Sequence, residues 1–175
     1  MKFRKAVSAD IAVIAEIYSD ILTEQEQGKT FVGWVRGVYP TAETAEAALR
    51  RGDLFVQEDN GTIIGAAVIN RQQVDVYVDG KWQYPAPEEQ VMVLHTLVIS
   101  PKVARTGYGA AFVRFYEEYA RENGCPYLRM DTNAGNARAR ALYTKLGYSE
   151  IGVVPCVFNG IEGVPLVLLE KYLEK

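Results

Sequence analysis

The chain is poor in the residues that hold metals and in charge of one sign. It has one histidine and two cysteines, and Cys125 and Cys156 lie far apart without ligand spacing, so no zinc site is expected and both thiols read as free. Cys125, just before Pro126, reads as a small buried thiol rather than a nucleophile. There is no positive excess either. Nineteen Lys and Arg against 22 Asp and Glu leave a net charge of −3, which excludes the broad basic field that draws proteins onto phosphate backbones, and nucleic acid with it. The start, Met1-Lys2-Phe3-Arg4-Lys5, lacks the apolar run of a signal peptide, and no later run is long enough for a membrane span. A cytoplasmic protein without membrane contact is expected. Repeats and low-complexity stretches are absent as well.

What the chain has is apolar mass. Hydrophobic residues make up 49% of 175 positions, enough to fill one core. A single domain over residues 1–175, as a monomer or homodimer, is the expectation.

Local patterns divide it. Phe3 to Val7 reads as a strand, and Ser8 then caps a helix with Ile11, Ile14, Tyr18, Ile21 and Leu22 on one face, stopped by Gly28. Pro40 and Thr41 start a second helix that ends at Gly52. Leu54–Gln57 and Thr62–Ile69 flank Asp59-Asn60-Gly61, a hairpin signal. Val74, Val76 and Val78 alternate, which predicts a sheet extension or a second hairpin before the Trp82–Pro87 loop. Val91–Ser100 suits a central strand, followed by a helix from Gly107 to Asn123 that buries Phe112, Phe115, Tyr116 and Tyr119. A strand at Tyr127–Met130 makes this a right-handed parallel crossover with a cleft between its strands. A helix over Ala137–Leu146 and two strands, Glu150–Phe158 and Val164–Leu169, complete the chain. The fold class predicted is α/β (α+β), a mixed and mostly antiparallel sheet with helices on its faces.

Gly107, Tyr108 and Gly109 open a helix directly after a strand and loop. Helix starts leave amide donors for an anion, the helix dipole favours negative charge there, and glycine lets phosphate oxygens approach the backbone. A bare Gly-x-Gly is equally a tight turn. The dinucleotide fingerprint fails because Phe112 stands where its third glycine belongs, and the loop lacks the Gly-Lys-Ser/Thr ending of a P-loop.

The run Leu97-Val98-Ile99-Ser100-Pro101 with the loop through Thr106, Gly107, Tyr108 and Gly109 resembles the first signature of the GNAT superfamily of acyl-CoA-dependent N-acetyltransferases. Asn136, Ala139, Leu142, Tyr143, Lys145, Gly147 and Tyr148 resemble the second, one helix and one strand later. Almost the whole chain is covered, least well over 28–40 and 71–87. One departure is plain: Ala104 occupies a position where the family usually carries Gln or Arg, and Arg105 follows it.

The resemblance implies acetyl-CoA as co-substrate, with no metal, and a primary amine of a small molecule or peptide as acceptor. It places the thioester and pantetheine along Leu97, Val98 and Ile99. The pyrophosphate falls on Ala104, Arg105, Thr106, Gly107, Tyr108, Gly109 and Ala110, with Arg105 supplying charge that Ala104 lacks. Asn136 meets the cofactor or caps its helix, Ala139 leaves room, and Lys145 reaches a phosphate or is merely solvated. Tyr143 is the general acid, a phenol protonated at neutral pH that can donate to the departing thiolate; its other reading is a core aromatic. His95 is either the base, directly or through a water, or a hydrogen-bonded core residue. Trp34, Tyr39 and Tyr84 head the acceptor-pocket candidates, with Phe31, Tyr77, Trp82 and the turn at Asn159. Asp75, Asp79, Glu88 and Glu89 are candidates to hold a cationic amine. The rival readings are a non-catalytic acyl-CoA sensor and a nucleotide-dependent enzyme.

Overall fold

The computed structural model describes residues 1–103 and 107–174. Seven strands form one sheet in the order β1-β2-β3-β4-β5-β7-β6. They are β1 (Lys2–Lys5), β2 (Leu54–Asp59), β3 (Thr62–Asn70), β4 (Val91–Ile99), β5 (Tyr127–Asn133), β6 (Ser149–Phe158) and β7 (Ile161–Tyr172). Among the described residues only β4 and β5 are parallel neighbours. The helices are α1 (Ile11–Glu26), α2 (Ala42–Arg51), α3 (Tyr108–Glu122) and α4 (Ala137–Lys145). The mixed, mostly antiparallel sheet with helices on its faces is the architecture expected.

Local chemistry explains the boundaries. Asn60 and Gly61 both take positive φ, 48° and 78°, the conformation a two-residue hairpin turn needs between right-twisted strands. Asn159 and Gly160 repeat the device between β6 and β7, at 51° and 76°. Gly52, left-handed at φ 76°, ends α2.

Helical spacing sorts the core into two layers. Ile14, Ile17, Tyr18 and Ile21 of α1 pack with Ala45 and Ala48 of α2 on Leu54, Val56, Ala66 and Val68. On the opposite face Phe112, Val113 and Tyr116 of α3 cover Phe55, Met92, Leu94 and Leu128. Phe112 and Tyr116 are wholly buried, each such large side chain contributing about 1.5–3 kcal/mol by removal from water. Tyr116 keeps its hydroxyl satisfied at that depth by donating to the Met92 carbonyl at 2.6 Å. Phe115 and Tyr119 are only partly buried, and Phe115 stacks on Phe3 at 4.6 Å between centroids.

One expectation is corrected. Val74, Val76 and Val78 belong to no strand; residues Asp75–Asp79 form a 3-10 turn. The alternation was misleading because Tyr77 is the residue this segment buries, at 3% exposure, while Val78 is 86% exposed. Trp82 Nε1 donates to the Tyr77 carbonyl at 2.8 Å, so the insert folds back on itself and packs over Val91, Val93, Leu166 and Leu168.

Candidate active site

The site begins where β4 leaves β5. Their parallel register runs from Val91↔Tyr127 to Leu94↔Met130 and stops. On its other edge β4 pairs His95 with Val68 and Val98 with Ala66, so Thr96 and Leu97 stand opposite the single residue Ala67. This bulge bends β4 away from its parallel neighbour. Thr96 takes φ 49°, costing a β-branched residue about 1–2 kcal/mol, and a hydrogen bond between its Oγ1 and the Tyr39 hydroxyl holds it there. The result is a cavity of about 620 Å³. Leu97, Val98 and Ile99 line one side, Asp131, Thr132 and Asn133 the other.

The start of α3 closes one end. Gly107 caps the helix at φ 80°, and the first bond inside it runs from the Ala111 amide to Gly107 O at 3.0 Å. A Cβ on Gly109 would lie 3.2 Å from Leu142 Cδ2, so glycine lets the tip of α3 approach α4. The tip is anchored by the Tyr108 hydroxyl, which donates to Asp59 Oδ2 at 2.7 Å. Gly107, Tyr108, Gly109 and Ala110 all line the cavity, presenting the positive end of the helix dipole to it. Ala104, Arg105 and Thr106 lie outside the described residues. Asn136 caps α4 by accepting from the Ala139 amide at 3.1 Å. Ala139, Tyr143 and Lys145 line the same wall, together with Arg114 and Arg138. Those two arginines were not singled out from the sequence; nothing in a lone surface arginine marks it until helix geometry puts it at a cleft.

Tyr143 is 7% exposed and lines the cavity. No described residue bonds its hydroxyl. Burial, and then the charge of Asp131, push it well above the ordinary phenol value, so it stays protonated. His95 lies between this cavity and a second of about 650 Å³ beside α2. Its Nε2 is 3.0 Å from Asn70 Oδ1. That oxygen accepts from the Gln72 amide, and Asn70 Nδ2 donates to Asp53, so the pairing makes Nε2 the donor. Burial pushes His95 down to about 4, leaving a neutral ring.

The other end is walled by the 29–40 segment. Gln25 of α1 shapes it, accepting from the amides of Val32 and Gly33 and donating to the Trp34 carbonyl at 2.8 Å. Trp34 and Tyr39 meet edge to face at 5.9 Å and both line the cavity. Tyr84 does not reach it: the ring stacks on Tyr172 at 5.5 Å and its carbonyl accepts from Arg129, which corrects its candidacy. Trp82 is likewise diverted, under the Arg129 guanidinium at 4.0 Å. Tyr77 instead donates to Asp131 Oδ2 at 2.7 Å. Burial raises Asp131 to about 6. The sequence reading passed over this carboxylate; the one signal was an Asp closing an apolar strand at the mouth of a parallel crossover, where such folds bind ligands. Among the described residues no group of His, Cys, Asp and Glu could hold a metal ion, and no helix is long and apolar enough to cross a membrane.

A sheet split between two parallel strands, with a helix tip at one end of the split and a tyrosine beside it, is the framework of the site. The chain belongs to the acetyltransferase (GNAT) family, whose model matches residues 15–148. It is 24% identical over 150 residues to YhfO of Bacillus subtilis (strain 168), described as an uncharacterized N-acetyltransferase, covering 86% of this chain and 91% of that one. A GNAT family acetyltransferase of Streptococcus agalactiae 2603 shares the fold at a TM-score of 0.78 and 23% identity, over 99% of this chain and 96% of that chain. Salmonella typhimurium yncA, solved with its cofactor acetyl-CoA, superimposes with a TM-score of 0.70 at 20% identity, over 100% and 95%.

Proposed function

We propose that this protein transfers an acetyl group from acetyl-CoA to a primary amine of a small molecule or peptide, by direct attack while both substrates are bound. The observation that carries the reading is the slot beside the bulge. Past Leu94 the β5-facing edge of β4 has no strand partner, and Tyr143 faces the same space. An edge of peptide groups fits the amides of a pantetheine arm, and a peptide N–H there can stabilise an oxyanion. The tip of α3 suits a pyrophosphate. Arg114, Arg138 and Lys145 supply cationic charge for the remaining phosphate groups.

The donor supplies an acetyl group on a thiol leaving group; the chain supplies position and protons. Tyr143, protonated and unbonded, gives its proton to the departing thiolate. His95 is neutral at physiological pH, and with Nε2 engaged by Asn70 it serves as a base only through Nδ1 or a bridging water.

Calorimetry with acetyl-CoA and a thiol-release assay over a panel of amines test the reading. Micromolar binding with amine-dependent release of thiol is expected. Binding without release above hydrolysis would make the protein an acyl-CoA sensor, and preference for ATP or NAD would remove the reading altogether.

A further inference from the structure

We infer that Asp131 is the residue that binds the acceptor ammonium and takes its first proton, and that the acceptor is a primary amine with a compact apolar or aromatic substituent and no acidic group. This rests on the transferase reading and specifies its second substrate.

Asp131 lies in β5 one residue past Met130, the last residue paired with β4, where β4 bends away, and it lines the cavity with Leu97 and with Tyr143, on which its charge acts. Tyr77 occupies one carboxylate oxygen at 2.7 Å. The other accepts no hydrogen bond from a described residue, and Asp131 is half-buried in the cavity wall. A carboxylate held in low dielectric with half its acceptor capacity unused is a strong site for a cation. The titratable groups that face it are Tyr77 from the 75–79 turn, Tyr39 from the 29–40 segment, Tyr143 from α4 and Cys156 from β6. None carries positive charge; the cation on the same face of β5, Arg129 two residues back, has its guanidinium held over Trp82 and bonded to Gln73.

The distribution of charge in the cleft gives the substrate class. Among the described residues its cations, Arg114, Arg138 and Lys145, all come from α3 and α4. The 29–40 segment, β6 and β7 contribute Val32, Trp34, Tyr39, Phe158, Val164 and Leu166 but no Lys or Arg. Among the described residues the second acid of the lining is Glu24 of α1. An acceptor carboxylate would meet two acids and, among the described residues there, no cationic partner, whereas an ammonium on an apolar stem is matched at both ends.

Protons balance as follows. The bound ammonium gives one proton to Asp131, which later releases it to solvent. The neutral nitrogen forms its bond to the acetyl carbon as the carbon–sulfur bond breaks, and the thiolate takes the Tyr143 proton. The nitrogen's second proton returns to Tyr143, leaving amide and free thiol.

The test compares phenethylamine with L-phenylalanine, which differ by the carboxylate alone, on the wild type, Asp131→Asn and Asp131→Glu. Phenethylamine should be preferred by about tenfold or more in kcat/KM, and Asp131→Asn should lose about tenfold or more on it while the acetyl-CoA dissociation constant stays within about twofold. The acidic limb of kcat/KM near pH 6 should vanish in Asp131→Asn and return in Asp131→Glu, a readout that a structural role would not move. Preference for phenylalanine, or an unchanged limb in Asp131→Asn, overturns the inference. If no amine is acetylated, the transferase reading fails by that result. Calorimetric binding of phenethylammonium then decides on Asp131 separately: binding weakened about tenfold in Asp131→Asn supports it, and equal binding removes it.

Discussion

Gly33 and Asn133 lock the aromatic segment onto the end of β5: a Cβ on Gly33 would stand 2.8 Å from Asn133 Cγ. Asn133 has little room to yield, because its Oδ1 accepts from the Gly135 amide at 2.9 Å and Gly135 is itself pressed against Phe31. Gly33 also holds φ 76°, which costs an L-residue about 1–2 kcal/mol. Gly33→Ala should therefore push Trp34 and Tyr39 out of place. The amine KM should rise about tenfold, while acetyl-CoA affinity, which depends on the far end of the cleft, should be unchanged by calorimetry. Equal losses for both substrates would show that the segment does not wall the acceptor end.

Tyr143→Phe removes a hydroxyl that no described residue bonds, so folding stability should not fall. Turnover should drop about a hundredfold or more, the usual weight of a positioned acid, with acetyl-CoA binding nearly intact. Single-turnover thiol release separates the two. A variant that releases thiol at the wild-type rate would leave Tyr143 as the core aromatic its helix position equally suggests.

How far the sequence carries differs by feature. Turns, caps and helix ends were legible because their cause is local: Asn60-Gly61, Gly52 and Asn159-Gly160 each take the backbone conformation their residue types favour. The strand–helix–strand crossover was legible for the same reason, and with it the cleft between its strands; Tyr143 was singled out only through the resemblance to the second family signature. Asp131 was not. Its importance comes from Tyr77, which lies 54 positions away in sequence, and from a bulge whose geometry no spacing announces. Val74–Val78 misled because alternation records which residues are apolar, not whether a strand is free to pair with them.

His95 and Asp131 should pull stability in opposite directions with pH. His95 sits at about 4 when folded against about 6.5 unfolded; the unfolded chain binds more protons, so its contribution is present above pH 6.5 and is lost as pH falls. Asp131 is raised to about 6 against about 3.9; its contribution is present below pH 4 and lost as pH rises through 6. From pH 7 to 5 the first costs about 2 kcal/mol and the second returns about 1 kcal/mol. Urea unfolding should thus show His95→Gln losing less stability than wild type on acidification, and Asp131→Asn losing more. Parallel curves for all three proteins would contradict both assignments.

Asn136 separates capping from cofactor contact. Its Oδ1 accepts from the Ala139 amide, a role serine fills almost as well, whereas its Nδ2 is engaged by no described residue and the residue lines the cleft. Asn136→Ala should lose about 1 kcal/mol of stability, and Asn136→Ser should recover most of it. If the side-chain amide also donates to the pantetheine arm or a phosphate, both variants should weaken acetyl-CoA binding about tenfold, because neither has that donor. Restored stability with full acetyl-CoA affinity in Asn136→Ser would confine Asn136 to capping, and would leave the start of α4 to act on the cofactor through its backbone and its arginine alone.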